Sequence, residues 1–192
     1  GYTFQNKPII LYRIGNVNGG KVSFDGAIHG DSDASSEILY QYTRWLLESG
    51  ESLANTILQR NCTLIVPIIN MDNSTSRKNA NGVDINRNFP TYWGNSGSAV
   101  PTAYDYRGPS PASEPETQTM VSIFQSEKSF FHLNMHNWGG PWLGNTYDAA
   151  QVNYCKTIYD KYVVLCNSLG ITPYPYTPAK WEDWWVKPPG GF

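Results

Sequence analysis

Arg77-Lys78-Asn79-Ala80-Asn81-Gly82-Val83-Asp84-Ile85-Asn86-Arg87-Asn88-Phe89-Pro90 places two arginines and several side-chain amides within one Gly/Asn-rich run. Arginine presents a rigid, planar fork of donors that can hold a carboxylate at two points, and asparagine adds a neutral donor beside it without charge repulsion. Such a run suits a loop that grips a carboxylate. Taken alone it could equally be a solvated loop whose arginines form surface ion pairs of little energetic weight. The flanking segments decide between the two.

Upstream, Leu64 to Ile69 is a continuous apolar run of strand length, the mark of a strand covered on both faces, and Asn70-Met71-Asp72 follows it. Ile9 to Ile14 and Lys21 to Ile28 read as strands joined through Asn16, Asn18, Gly19 and Gly20, which predicts a hairpin. The second of these delivers His29 within Gly26-Ala27-Ile28-His29-Gly30-Asp31. Ile38, Leu39, Tyr42, Trp45 and Leu46 then recur at helical spacing with Gly50 as the stop, and Leu53 to Leu58 suggests a second, short helix.

From Asn70 to Ser113 the chain is rich in Gly, Asn, Ser, Pro and Tyr with little periodicity, and ordered loops of this length usually carry function. Ser113 with Glu116 three residues later predicts a capping box, opening a helix whose inner face is Met120, Val121 and Phe124. Phe130 to His136 reads as a further buried strand. Val152, Cys155, Tyr159, Tyr162, Cys166 and Leu169 mark a long helix that ends at Gly170. The tail from Ile171 is rich in Pro, Tyr and Trp, and no repeats or domain boundary are visible.

Alternating strands and helices predict an α/β fold with a mixed, mostly parallel sheet sandwiched between helices. His29, the loop from Asn70 and His136 then fall at strand ends, where open α/β sheets place their ligands.

With 192 residues the chain is large enough for a substantial core in one domain. A net charge of −2, 16% charged residues and no basic stripe argue against a nucleic-acid partner. No apolar run approaches a membrane span, and Gly1-Tyr2-Thr3-Phe4 has neither a basic start nor an apolar signal core. A soluble chain without its export signal is therefore expected. Cys155 and Cys166, about 16 Å apart along one helix, are too distant to bond to each other, and Cys62 is left with several possible states. The triplets Asn61-Cys62-Thr63 and Asn73-Ser74-Thr75 would accept glycans only in a eukaryotic secretory route.

In this order the segments resemble the zinc metallocarboxypeptidases of the carboxypeptidase A type, from about Gln5 through Gly191. The most specific part is Arg77 to Pro90. Arg107-Gly108-Pro109-Ser110-Pro111 and Ser113-Glu114-Pro115-Glu116-Thr117 support it, since they look like the family's approach to its next helix. The resemblance implies a carboxypeptidase-like fold and one zinc ion. It also implies a peptide substrate or ligand with a free C-terminal carboxylate, and an extracellular or secreted location. Residues 1–192 are expected to form a single metallocarboxypeptidase-like domain, clipped at both ends.

In that family a His-x-x-Glu turn supplies two zinc ligands and a distant histidine the third. His29 matches the first histidine and His136 the distant one, but Ser32 stands where the glutamate belongs. A serine hydroxyl is neutral and ligates zinc poorly, so Asp31 or Asp33 would have to substitute. If a full site is worth about 10–16 kcal/mol, one ligand carries roughly 3 kcal/mol, some hundredfold in affinity. Weakened zinc binding is expected. His132, about 13 Å along the strand from His136, reads as a structural histidine, and Glu37 as an ordinary helix residue.

By the same resemblance Asn86 and Arg87 bind the C-terminal carboxylate of a peptide, while Arg77 is the catalytic arginine that polarises the scissile carbonyl. Asp84 and Asn88 read as braces of the loop. Family members complete the reaction with a glutamate base after a Gly-rich turn, beyond a tyrosine that closes over the substrate. Pro188-Pro189-Gly190-Gly191-Phe192 resembles that turn, the base has no counterpart, and the tyrosine would fall near Trp185 or Val186.

Two readings follow. One is a zinc-dependent hydrolase acting on the C-terminal peptide bond of peptides, with a cell-wall peptide amidase as a subclass. The other is a non-catalytic relative that binds peptide C-termini or serves a structural role.

Overall fold

The sheet is built around β2 (Gly20–Asp25), which lies between β3 (Asn61–Val66) and β4 (Phe131–Asn134) and runs parallel to both. β1 (Tyr12–Gly15) pairs antiparallel with the far side of β3, giving the order β1-β3-β2-β4. This computed structural model describes residues 1–31, 33–91, 93–136, 149–170 and 172, apart from the side chains of Asp33 and residues 149–155. Ser32, the Pro188–Phe192 turn, Trp185, Val186 and the Cys155 side chain lie outside the described residues.

The expected hairpin does not form. β1 and β2 are separated by β3, because the connection crosses the start of β3 instead of folding back. Asn16 N donates to Leu58 O at 2.8 Å and to Asn61 O at 3.0 Å. Glycine makes the crossing possible: a Cβ at Gly15 (φ +90°) would lie 2.7 Å from Asn61 O, and one at Gly19 would lie 2.2 Å from Arg60 O. The turn residues were legible, but their task is close passage over another strand.

Register puts alternate residues on opposite faces. Phe24 is flanked by Ile65 and Leu133, while Ser23 is flanked by Leu64 and His132. On the Phe24 face sit α1 (Asp33–Glu48) and α2 (Ser52–Arg60), with the Tyr42 ring 5.2 Å from that of Phe24. α1 buries Leu39 and Leu46, as its helical spacing requires. On the other face α3 (Pro115–Glu127) sets Met120 into a core of Ile9, Ile28, Val66, Ile69, Ile85 and Phe89. Helices therefore cover both faces of a mixed, mostly parallel sheet, as the sequence predicts. α4 (Ala149–Ser168) completes the described elements.

Two boundaries differ for identifiable reasons. β3 ends at Val66 because Pro67 has no N–H to donate to the ladder. The capping box is absent: Glu114, not Ser113, is the N-cap of α3, and it makes no side-chain cap bond. Pro115 holds the residue before it in an extended conformation (φ −89°, ψ 137°), which moves the helix start on by one residue. Glu116 turns inward, accepting from Phe4 N at 2.8 Å and from Asn79 Nδ2 at 3.1 Å. β4 is shorter than expected and half-buried instead of buried.

Candidate functional site at the sheet edge

Parallel strands end on the same side, so β2 and β4 carry the segments after them to one edge of the sheet. His29 and His136 meet there, with ring centroids 5.1 Å apart and planes at 61°. The chain reaches His29 through Ala27, whose φ of +47° is left-handed and whose N–H is held by Ser35 Oγ at 2.8 Å. The following residue, Gly30, passes so close to the loop before Arg77 that a Cβ would stand 1.4 Å from Asn73 O.

Asp84 ties the site together. Its side chain is fully buried at the N-cap of the 3-10 turn Ile85–Arg87, where it accepts from Asn86 N at 3.0 Å. One oxygen lies 3.2 Å from His29 Nε2, and the other accepts from Arg77 Nε at 2.6 Å. Burial alone would push this carboxyl up. The His29 hydrogen bond and the charges of His29, Arg77 and Arg87 outweigh it and hold the group below the ordinary carboxylate range. A carboxylate on Nε2 fixes the tautomer of His29, so Nδ1 carries the lone pair available to a metal.

Asn86 is buried, and its Oδ1 has no partner within the described protein. Beside it, Arg87 Nη1 donates to Asn86 O at 3.3 Å, and its stem is backed by Gly97, where a Cβ would approach Arg87 Cβ to 2.9 Å. Arg77 is 18% exposed, with the ring of Tyr104 4.9 Å from its guanidinium carbon. Asn88 braces the loop, donating to Arg107 O, Ser110 O and Ser113 Oγ and accepting from Glu114 N.

The amides of Asn79 and Asn81 do grip carboxylates, but those of the protein itself. Asn79 Nδ2 reaches Glu114 Oε2 at 2.8 Å and Asn81 Nδ2 reaches it at 3.1 Å. Asn79, Asn81 and Asn88 thus hold the loop to the start of α3, and Asn86 lies next to Arg87 on the 3-10 turn.

Burial, then the charges of His29 and Arg77, lower His136 to about 4, although Asp25 and Asp84 pull the other way. It is therefore a neutral imidazole at neutral pH, the form a metal ion takes. The Nδ1 of His29 and the imidazole of His136 fit zinc as two of its ligands. The third position is less well served: Asp31 is exposed, and among the described residues no group of three His, Cys, Asp or Glu side chains converges. His132 stands apart beneath α3, with Nδ1 2.7 Å from Ser23 Oγ, Nε2 2.9 Å from Asp25 Oδ2 and its ring edge-on to Phe124. Its surroundings are structural, in line with the sequence reading.

Tyr104 and Gly97 were not singled out by sequence. Both lie in the stretch without periodicity, and only the closure of that loop brings them to Arg77 and Arg87.

Comparison with solved structures shows the fold they share. Over 96% of this chain and 57% of the other, the fold matches thrombin activatable fibrinolysis inhibitor with a TM-score of 0.77 at 18% identity. It matches carboxypeptidase A from Helicoverpa armigera with a TM-score of 0.68 at 21% identity, over 80% of this chain and 44% of the other. Residues 1–164 match the zinc carboxypeptidase family, and the chain belongs to that family. Mast cell carboxypeptidase A of Mus musculus is 27% identical over 159 residues, which cover 70% of this chain and 36% of the relative. The chain thus spans about a third of the length of the curated relative it matches. Among the described residues no helix is long and apolar enough to cross a membrane.

Proposed function

We propose that residues 1–192 act as one domain carrying the carboxylate grip and a weakened zinc site of a carboxypeptidase-type hydrolase, directed at the C-terminal peptide bond of peptides. The observation that carries this reading is the Asp84 carboxylate, which joins His29 and Arg77 at the edge where His136 arrives. Asn86 and Arg87 hold the free carboxylate of the peptide. Support comes from the Arg87 guanidinium, whose one hydrogen bond among the described residues is the 3.3 Å contact with Asn86 O, so most of its donors are left for a ligand. Arg77 donates to the scissile carbonyl oxygen as negative charge develops there.

His29 and His136 would hold zinc, with Asp31 or Asp33 in place of the glutamate that Ser32 replaces. When bound, the ion supplies a Lewis acid at the scissile carbonyl. An extracellular or secreted location belongs to the same proposal.

Arg87→Ala should weaken binding of a free-acid peptide about tenfold or more, the scale of a hydrogen bond to a charged group, and leave its C-terminal amide unaffected. Isothermal titration with both peptides reads this directly. Equal binding of acid and amide by the unmodified protein would remove the role given to Arg87. Ser32→Glu should raise zinc retention in dialysis at least tenfold, and equal metal content in the two proteins would show that Ser32 is not at a ligand position. Ser32 also favours a second reading, a non-catalytic binder of peptide C-termini. Undiminished acid-peptide binding after exhaustive chelation, with no turnover when zinc is restored, would select it.

A further inference from the structure

Arg77 is held at one point by its own loop. Nε donates to Asp84, and among the described residues its terminal nitrogens have no hydrogen-bond partner. A guanidinium fixed at Nε alone can still rock about its bond to the stem, and a misplaced fork loses its match to a carbonyl or carboxylate oxygen. The missing restraint comes from a residue 27 positions away in sequence.

Tyr104 lies on a tight excursion of the long loop. Ser98 N donates to Asp105 O and Arg107 N donates to Ser98 O, both at 3.0 Å, so the chain from Ser98 to Arg107 doubles back on itself. Lys78 Nζ donates to Pro101 O at 3.2 Å and tethers the excursion to the residue next to Arg77. The outcome is a tyrosine 70% exposed to solvent whose ring nevertheless stands against a guanidinium at 4.9 Å. Exposed tyrosines ordinarily sample several rotamers, so a ring held here reflects attraction between cation and ring face.

We propose that Tyr104 is a positioning residue: its ring covers one side of the Arg77 guanidinium, fixes the plane of the fork and shields the Arg77–Asp84 ion pair from water. It touches no reacting atom and acts through Arg77. Its effect on peptide binding rests on the function proposed above, whereas its hold on Arg77 does not.

The test uses the full chain and compares Tyr104→Phe with Tyr104→Ala; a side chain this exposed can be truncated without unfolding the domain. Solvent exchange of the Arg77 Nε–H, followed by ¹⁵N NMR, should accelerate about two- to fivefold in Tyr104→Ala, the range of an exposed cation–ring contact. Tyr104→Phe should match the parent. Unchanged exchange in Tyr104→Ala, or an equal change in both variants, overturns the proposal. The second readout is affinity for an N-acylated dipeptide acid, which should fall by a similar factor in Tyr104→Ala but show no further fall when Arg77 is already glutamine. An equal fall in the Arg77→Gln background would mean that Tyr104 meets the ligand directly, and the positioning role would be wrong. Absence of dipeptide binding by the unmodified protein would end the function proposed above, and the exchange measurement would still decide Tyr104.

Discussion

Replacing Asp84 by asparagine keeps the shape of the side chain and removes its charge. Three donors converge on that carboxylate, and Arg77 beside it is only 18% exposed, so the substitution leaves a largely buried cation without its counter-charge. A loss of roughly 1–3 kcal/mol is expected, measured by denaturant unfolding of the two proteins. A loss within experimental error would show that water supports Arg77 as well as Asp84 does.

At this scale the sequence carried the site unevenly. The strand ends that deliver His29 and His136 were legible because hydrophobic patterning is local, whereas their meeting 107 residues apart followed only from the family resemblance, and Asp84 and Asn88 make the bracing bonds the sequence suggests. Which asparagines meet Glu114 was not legible, because that depends on a loop closing over forty residues. Tyr104 was invisible for the same reason.

Among the elements, Glu127 at the end of α3 joins the helix to two strands, accepting from Arg13 of β1 and from Lys21 of β2 at 2.8 Å. The Arg13 bond, then the Lys21 bond, holds its carboxyl below the ordinary range against the effect of burial. A depressed carboxyl stabilises the fold fully above its unfolded titration and loses that contribution as pH falls through the folded one. Glu127→Gln should therefore be the less stable protein at neutral pH, by roughly 1 kcal/mol since Arg13 is half-exposed, and the gap should begin to narrow as pH falls below the ordinary glutamate value of about 4.3. Melting temperatures of both proteins from pH 7 to pH 3 check this, and a gap that stays constant would refute it.

Element identities were largely readable from periodicity, while connections and caps were not. Ser113 and Glu116 have the right spacing for a capping box, but Pro115 between them displaced the helix start, and Glu116 found donors from Asn79 and Phe4 instead. The residues from Asn16 to Gly20 have hairpin chemistry, yet a turn motif cannot report that both edges of β2 are taken by strands far along the chain.

Across the whole molecule, protection should follow position in the sheet. β2 has a neighbour on each side and helices on both faces, whereas β1 has one described partner and mostly exposed side chains. Hydrogen exchange should be slowest in β2 and in Leu64–Val66 of β3, and faster by an order of magnitude or more in β1. Equal protection of β1 and β2 would mean that the sheet opens only as a unit. The α/β class and the arrival of His29 and His136 at strand ends were visible before any coordinates, because layer architecture follows from alternating hydrophobic patterns. Strand order was not, since it is set by contacts between segments about fifty residues apart.

That order has a consequence during synthesis. Tyr12 pairs with Ile65, so β1 leaves the ribosome with no partner until β3 has been made, a delay of about 3–10 s at roughly 5–20 residues per second. Through that interval β1 is a nascent strand with both edges unpaired, able to template pairing with another chain. Arg13 within it and the Gly/Asn-rich residues after it make it a poor template, so the segment that lets the chain cross β3 also keeps the waiting strand from pairing wrongly.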